Sequence, residues 1–205
     1  MDALNLHYGA APAPLLDLLR SLMREDLLEP FHLVGGTALA LRLGHRSSVD
    51  IDLFAGKAFD VQPVADLLGE EYGIQSMETA RNTVRGEVGG IKVDIMSHRY
   101  PMIGKPIEVD GIRLASLEDI AAMKLNAIAN RGGKKDFWDY AELLNHFSRD
   151  EMLGFFAKKY TDENVWYVEK SLSYFEDAEE EPDPRGLKGH TWSDVKKAVL
   201  ESNRL

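Results

Sequence analysis

Cysteine is absent from the 205-residue sequence. Its absence excludes disulfides, thiolate metal sites and a cysteine nucleophile, so any metal ion would have to be held by Asp, Glu or His. Carboxylate oxygens prefer hard cations, which points to Mg²⁺ or Mn²⁺.

Long apolar runs are also missing, and the first residues lack a basic segment followed by an apolar one. The sequence therefore predicts no transmembrane helix and no secretory leader. We expect a cytoplasmic protein that does not associate with a membrane.

Basic residues are outnumbered, 24 Lys and Arg against 34 Asp and Glu, for a net charge of −10. This balance argues against a general nucleic-acid coat protein. Six of the acids lie in the run 176–183, EDAEEEPD, which is typical of a solvated loop. A local basic groove elsewhere is compatible with the remaining charges.

The length allows one compact unit with two lobes. Hydrophobic periodicity predicts an α+β fold, in which a small mixed sheet flanked by helices is followed by a helical lobe. We place the core at 1–113 and the C-terminal helical lobe, packed tightly on it, at 114–205. Strands are expected at 31–34, 49–54, 82–88 and 90–96, and the last two form a hairpin around a Gly-Gly turn. Helices are expected from residue 14, at 37–44 and 60–72, and in five further segments from 116 onward.

The segment 33–54, LVGGTALALRLGHRSSVDIDLF, organises the chain. It predicts a strand, a turn at Gly35 and Gly36, a short helix, and a second strand that contains Asp50-Ile-Asp52. Side chains alternate along a strand, so Val49, Ile51 and Leu53 should face the core while the two aspartates face a cleft.

Asp94 has the matching parity in the predicted hairpin strand and can join the two aspartates. Three such carboxylates suit one or two divalent cations, as phosphoryl or nucleotidyl transfer requires. Asp50 and Asp52 would hold the metals, and Asp94 would complete the second site or act as a base. The alternative is that alternating acids only mark the wet face of a half-buried strand.

Gly35, Gly36 and Thr37 precede the aspartates and favour the chemical interpretation. Glycines allow the backbone to approach a phosphate, and a helix N-terminus offers unpaired N–H groups to it. Taken alone, the glycines could form an ordinary tight turn, and the threonine could be a helix cap.

A second block concentrates positive charge at Lys124, Arg131, Lys134 and Lys135. Lys124 borders an apolar helix face and could extend into a cleft, although it could also be an ordinary surface lysine. Asp136 and Asp139 lie three residues apart on one helix face, where Asp136 could equally be a helix N-terminal charge. His45 is expected in a loop near the cleft, and Trp138 and Tyr140 in the core.

These motifs resemble the signature of the polymerase-beta-type nucleotidyltransferase superfamily: Gly-Gly, the thirteen residues 37–49, Asp-hydrophobic-Asp and a later strand aspartate. More narrowly, the chain resembles the AbiEii/AbiGii group of toxin nucleotidyltransferases, which includes MenT-type enzymes. The similarity extends through 114–144, where a Lys-Leu helix precedes an Arg and a Lys-Asp-x-x-Asp motif. One departure is that many members have Ser directly after the first Gly, where this chain has Gly36.

The resemblance implies roles for individual residues. Asp50, Asp52 and Asp94 would be metal ligands; Gly35, Gly36 and Thr37 would bind the nucleotide phosphates, with Thr37 compensating for the missing Ser. Lys124 would contact the triphosphate, and Asp136 would position the catalytic groups.

The resulting hypothesis is a metal-dependent transfer of a nucleoside monophosphate from an NTP, ATP or another, to a hydroxyl acceptor. The resemblance implies an RNA acceptor such as a tRNA 3′ end, and a toxin with a cognate antitoxin protein. One alternative keeps the site but has a small molecule or a protein side chain as acceptor. Another is a nucleotide-binding or interaction module without catalysis.

Overall fold

A computed structural model describes residues 5–161 and 164–203. In these residues, seven strands form one sheet in the order β3-β4-β5-β2-β1-β7-β6. The strands are β1 His32–Leu33, β2 Ile51–Ala55, β3 Gln75–Ala80, β4 Thr83–Val88, β5 Ile91–Ser97, β6 Ile107–Val109 and β7 Ile112–Leu114.

The helices precede, interrupt and follow the sheet strands, and six of those described come after β7. They are α1 Ala13–Leu22, α2 Gly35–Leu43, α3 Val61–Glu70, α4 Leu117–Arg131, α5 Lys134–Leu143, α6 Arg149–Lys159, α7 Val165–Ser171, α8 Glu176–Glu179 and α9 Trp192–Ser202. The α+β class and the mixed sheet are therefore as expected. No helix among the described residues is long and apolar enough to cross a bilayer.

The sheet is mixed because β2 runs parallel to β5 but antiparallel to β1. The predicted hairpin is present, with β4 antiparallel to β5. Alternation along β2 buries Ile51 and Leu53 and leaves Asp52 and Phe54 partly exposed on the other face. The strand therefore delivers its polar side to a cleft.

Helix boundaries follow local signals in the sequence. Asp60, Ser116 and Thr191 accept hydrogen bonds from backbone N–H groups of α3, α4 and α9. These caps satisfy donors that have no intrahelical partner. Gly132, in the left-handed conformation, ends α4.

Four expectations need correction. Val49 is 52% exposed because β2 begins only at Ile51, so it does not belong to the core face. β3 was not predicted, and all six of its residues are exposed, so it lacks an alternating apolar pattern. Gly35 and Gly36 lie in the first turn of α2 and not before it. The helix expected at 163–175 is α7 followed by a turn, and residue 163 lies outside the described residues.

The acidic run 176–183 is also more structured than a solvated loop. It contains α8, whose Ala178 is buried. Lys134 binds the Asp183 carboxylate at 3.1 Å and the Glu181 carbonyl, and Lys196 binds Glu179 at 2.6 Å. The run therefore pairs with lysines of α5 and α9, which fixes it on the helical lobe.

One continuous apolar core extends from α1 through the sheet to α9. Trp138 and Tyr140 belong to it, as expected. The division of the chain into a core at 1–113 and a helical lobe at 114–205 stays a prediction. The described helices after β7, α4 to α9, all lie within 114–205.

Candidate active site

Asp52 and Asp94 are direct neighbours in the register of the parallel strands β2 and β5. Asp94 is 7% exposed and Asp52 is partly buried. Asp50 lies just before β2, at the rim of the same cleft. The pairing of two strands thus brings together carboxylates that are 42 positions apart in numbering, 52 and 94.

The carboxylates interact strongly because they are close and partly desolvated. Burial, followed by the negative charges of Asp94 and Asp50, raises the pKa of Asp52 to about 6, while Lys124 acts in the opposite direction. Lys92 Nζ binds Asp94 Oδ2 at 2.9 Å. The other oxygen, Asp94 Oδ1, is buried without a hydrogen-bond partner among the described residues.

An orphaned buried carboxylate oxygen and a mutually repelling pair both indicate missing positive charge. The donors are hard oxygens, which fit Mg²⁺ or Mn²⁺. In the described part of the chain, however, no three Asp, Glu or His side chains are grouped closely enough to hold a metal ion as they stand. Asp52 and Asp94 therefore fit such a cation as a pair, and a third ligand has to come from a reoriented Asp50 or from substrate.

Gly35 brings the backbone of α2 against the carboxylate of Asp52. It has φ +67°, and a Cβ atom there would lie 2.7 Å from Asp52 Oδ2. At Gly36 a Cβ atom would lie 2.5 Å from Arg46 Nη2. Both glycines are therefore required by close approach, and the α2 N-terminus beside Asp52 carries no side-chain cap.

Thr37 is buried, and its hydroxyl is already engaged. It donates to the Ser48 hydroxyl at 2.8 Å or to the carbonyl of Asp50. The hydroxyl therefore holds the loop that leads to Asp50 and does not point into the cleft.

Lys124 is buried between two carboxylates of α5. Its Nζ lies 3.0 Å from Asp136 Oδ1 and 2.6 Å from Asp139 Oδ2. Although burial alone would lower the pKa of Lys124, Asp139 and Asp136 raise it above its usual value. Lys124 is thus a fixed cation that also lines the cleft.

Arg46 joins the same network from the loop before β2. Its Nε and Nη2 donate to the two oxygens of Asp139 at 2.6 and 2.7 Å, and His45 Nε2 lies 2.7 Å from Asp139 Oδ1. Burial favours a higher pKa for Asp139, but Arg46 and Lys124 bring it well below the usual value. His45 lies in the loop between α2 and β2, as expected, but it is buried against α5, which was not predicted.

Asp136 holds a second arginine at the rim. Arg131 Nε donates to Asp136 Oδ2 at 2.7 Å, while 68% of the Arg131 side chain remains exposed. The cations near the carboxylates of Asp50, Asp52 and Asp94 thus include the buried Lys124 and Arg46, the rim residue Arg131, and Lys92, which pairs with Asp94.

Sequence reasoning assigned no role to Arg46 or Asp139. Asp139 was noticeable only from its spacing to Asp136, and Arg46 only as a lone cation in the loop before the aspartates. Their 93-residue separation leaves no local signal that they pair.

A wall of aromatic rings closes the opposite side of the cleft. Phe54 stacks on His98 at 5.4 Å between centroids, and Tyr100 meets His98 at 5.1 Å and Tyr160 at 4.5 Å. Burial and the charge of Lys159 lower the pKa of His98 to about 4, so the ring is neutral near pH 7. The cleft between this wall, the glycines, Asp52 and Lys124 has a volume of about 570 Å³.

A buried ion pair supports the wall from behind. Lys159 Nζ binds Asp119 Oδ1 at 2.7 Å and the Pro101 carbonyl at 2.8 Å. Asp119 also accepts the backbone N–H groups of Ile103 and Gly104, each at 3.0 Å. The ends of α4 and α6 are thereby tied to the loop that carries Tyr100.

Comparisons with known proteins agree with this geometry. Residues 17–110 and 71–201 match the family described as "Nucleotidyl transferase AbiEii toxin, Type IV TA system". A protein of Aquifex aeolicus (strain VF5) named aq_aa25 is 36% identical over 171 residues, which cover 80% of this chain and 83% of that protein.

Two solved structures have a similar fold. MenT4, a nucleotidyltransferase toxin from Mycobacterium tuberculosis H37Rv, has a TM-score of 0.57 and 16% identity, covering 94% of this chain and 84% of that one. JHP933 from Helicobacter pylori has a TM-score of 0.54 and 16% identity, covering 95% and 92%. The family match extends from α1 to α9, and the chain belongs to the AbiEii family of nucleotidyltransferase toxins.

Proposed function

We propose that this nucleotidyltransferase uses Mg²⁺ or Mn²⁺ to move a nucleoside monophosphate from an NTP to a hydroxyl of RNA, at a tRNA 3′ end, releasing pyrophosphate. The observation that carries the proposal is the pairing of Asp52 with Asp94 beside the uncapped N-terminus of α2. Carboxylates and helix N–H groups side by side suit a cation and the phosphates that it bridges.

Asp52 and Asp94 would hold the ion, and Asp50 would join them when its side chain turns into the cleft. A bound divalent ion supplies charge neutralisation on the phosphates and a lowered pKa for the attacking hydroxyl. Asp94 Oδ1, which has no partner among the described residues, would then be satisfied.

The phosphates would lie over Gly35 and Gly36, which line the cleft at the start of α2, a helix without a side-chain cap. Thr37 would contribute its backbone and keep Asp50 in place through its buried hydroxyl. Lys124 would supply positive charge to the triphosphate from its fixed position, and Asp136 would keep Lys124 and Arg131 in position. The aromatic wall of Phe54, His98 and Tyr100 suits the flat face of a nucleobase.

The family assignment supports a cytoplasmic toxin whose activity is opposed by a cognate antitoxin protein. A small molecule or protein side chain as acceptor predicts label transfer to something other than RNA in the same assay.

The test incubates the purified protein with Mg²⁺, each labelled NTP in turn and total tRNA, then separates RNA from free nucleotide. Transfer of label to RNA 3′ ends, lost in Asp52→Asn and on addition of a chelator, is the expected result. A folded wild-type protein that labels no RNA with any NTP would contradict the RNA acceptor.

A further inference from the structure

A trough lies next to the cleft, along α4 and α7. Asn126, Asn130 and Arg131 line the cleft on one side. The same Asn130 and Arg131 line a neighbouring cavity of about 340 Å³ that is bounded by Tyr167, Lys170 and Tyr174. Asn126 and Asn130 also border a third cavity of about 230 Å³ that reaches Tyr167. The three spaces therefore adjoin one another along α4.

Exposed aromatic rings are concentrated at this trough. Across residues 5–161 and 164–203, the large aromatic side chains that remain mostly exposed are Trp166, Tyr167 and Tyr174, at 61%, 55% and 48%. Burying such rings normally stabilises a protein, so three exposed rings within nine residues indicate a binding surface.

Cations and amides accompany the rings. Lys170 Nζ lies 5.6 Å from the Trp166 ring, and the exposed part of Arg131 lies between the trough and the cleft. Asn130 Nδ2 donates to the Asn126 carbonyl at 2.8 Å, which places two amides on the ridge. Among the residues that the structure describes, Asp177 is the one acid that lines this cavity. This mixture of π faces, amides and cations differs from an apolar protein-docking groove.

We propose that this trough, termed the α7 track and defined by Asn130, Arg131, Tyr167, Lys170 and Tyr174, binds the single-stranded 3′ segment of the acceptor RNA. The inference rests on the proposed function, because it assumes that the hydroxyl acceptor in the cleft is an RNA end. Bases stack on Tyr167 and Tyr174, and Lys170 and Arg131 contact backbone phosphates. Proteins that bind single strands combine positive charge along the nucleic-acid backbone with aromatic side chains on which bases stack.

The first experiment measures the KM for RNA and the KM for NTP separately in wild-type and variant proteins. Tyr167→Ala and Tyr174→Ala each raise the KM for RNA at least about fivefold, because stacking of one base is lost. The KM for NTP and kcat at saturating RNA stay at wild-type values. Leu200→Ala, at a 40% exposed residue of α9, is the matched control and changes neither constant.

The second measurement is direct binding of a short single-stranded RNA oligonucleotide. Trp138 and Trp192 are buried, at 4% and 8% exposure, so quenching of tryptophan fluorescence reports mainly on Trp166 beside the track. Lys170→Gln lowers the magnitude of the salt slope of log K by roughly 0.7, as expected for one lost phosphate contact on a single strand. Lys197→Gln on α9 leaves the slope unchanged.

The outcomes separate the inference from the proposed function. Active wild-type enzyme with an unchanged KM for RNA in both tyrosine variants overturns the α7 track but not RNA transfer. Wild-type protein that transfers nothing to RNA contradicts the proposed function. In that case the binding assay still tests the α7 track. Loss of oligonucleotide binding in the tyrosine variants supports the track, and unchanged binding overturns the track. Variants that lose binding of a co-encoded protein while keeping RNA affinity also overturn it, since the surface then serves a protein partner.

Discussion

Asp139 accepts hydrogen bonds from Arg46 through both carboxylate oxygens, at 2.6 and 2.7 Å, and so joins α5 to the loop that leads into β2. Both side chains are buried. The same carboxylate holds Lys124, so one residue of α5 fixes two cations near Asp50 and Asp52.

Replacing Asp139 with Asn should therefore destabilise the fold severely. Lys124 and Arg46 lose their shared counter-charge, and breaking a buried ion pair from one side costs roughly 3–5 kcal/mol. The free energy of unfolding from urea titration measures the effect. Asp150→Asn, at an 85% exposed side chain on α6, is the control and should change it by less than about 0.5 kcal/mol. A small loss at Asp139 would mean that the network contributes little.

Asp94→Asn should abolish transfer without unfolding the protein. The substitution removes a charge from the cation site, and loss of several kcal/mol of transition-state stabilisation corresponds to a rate at least about a hundredfold lower. The metal-free variant should be as stable as wild type or more stable, because repulsion with Asp52 is removed. Rates of labelled-nucleotide transfer and thermal melting in a chelator measure the two effects. Retained activity would exclude Asp94 from the metal site.

Gly35→Ala should inactivate the enzyme and lower its stability. The new Cβ would lie 2.7 Å from Asp52 Oδ2 on a backbone with φ +67°, so the helix start or the carboxylate must move. Gly154→Ala in α6 is the matched control, because nothing lies within 4 Å of its Cβ position. That control should be neutral or stabilising by about 0.5–1 kcal/mol with full activity. Wild-type activity in Gly35→Ala would contradict the close approach.

The pH dependence of stability should contain a contribution from His98. Its pKa falls from 6.5 to about 4 on folding, so the unfolded chain binds the proton more readily. Stability from this group is complete above pH 6.5 and is lost as the pH falls toward 4. NMR titration should place the His98 midpoint near 4, and His98→Phe should flatten the slope of unfolding free energy between those values. An NMR midpoint near 6.5 would show that the aromatic wall is open to solvent.

The features of the site that depend on neighbouring residues in the chain could be predicted from the local sequence. Period-two alternation placed Ile51 and Leu53 inward and Asp52 outward, and the helices expected from residues 60 and 116 begin within one residue of those positions. Thr37 shows the limit of this reasoning. Its position in the motif suggested a contact with phosphate, yet its hydroxyl is turned toward Ser48 by the path of a loop that no spacing rule describes.

The unpredicted features depend on pairings between distant segments. Arg46 and Asp139 meet only because α2 packs against α5, and β3 forms because β4 offers a free edge, not because its own residues alternate. The prediction that Val49 faces the core was wrong because β2 begins at Ile51, two residues later than the apolar pattern indicated. Tertiary packing decided each of these outcomes.

The order of synthesis gives the parallel pairing of β2 with β5 a kinetic consequence. The β4–β5 hairpin is local and can form early, whereas Asp52 can meet Asp94 only after the intervening α3 and β3 have been brought around, which is slower. The ion pair between Arg46 and Asp139 can form only later still, because Asp139 leaves the ribosome after Asp94. In a growing chain, the cations beside Asp52 and Asp94 can therefore acquire their shared counter-charge, Asp139, only after α5 has been synthesised.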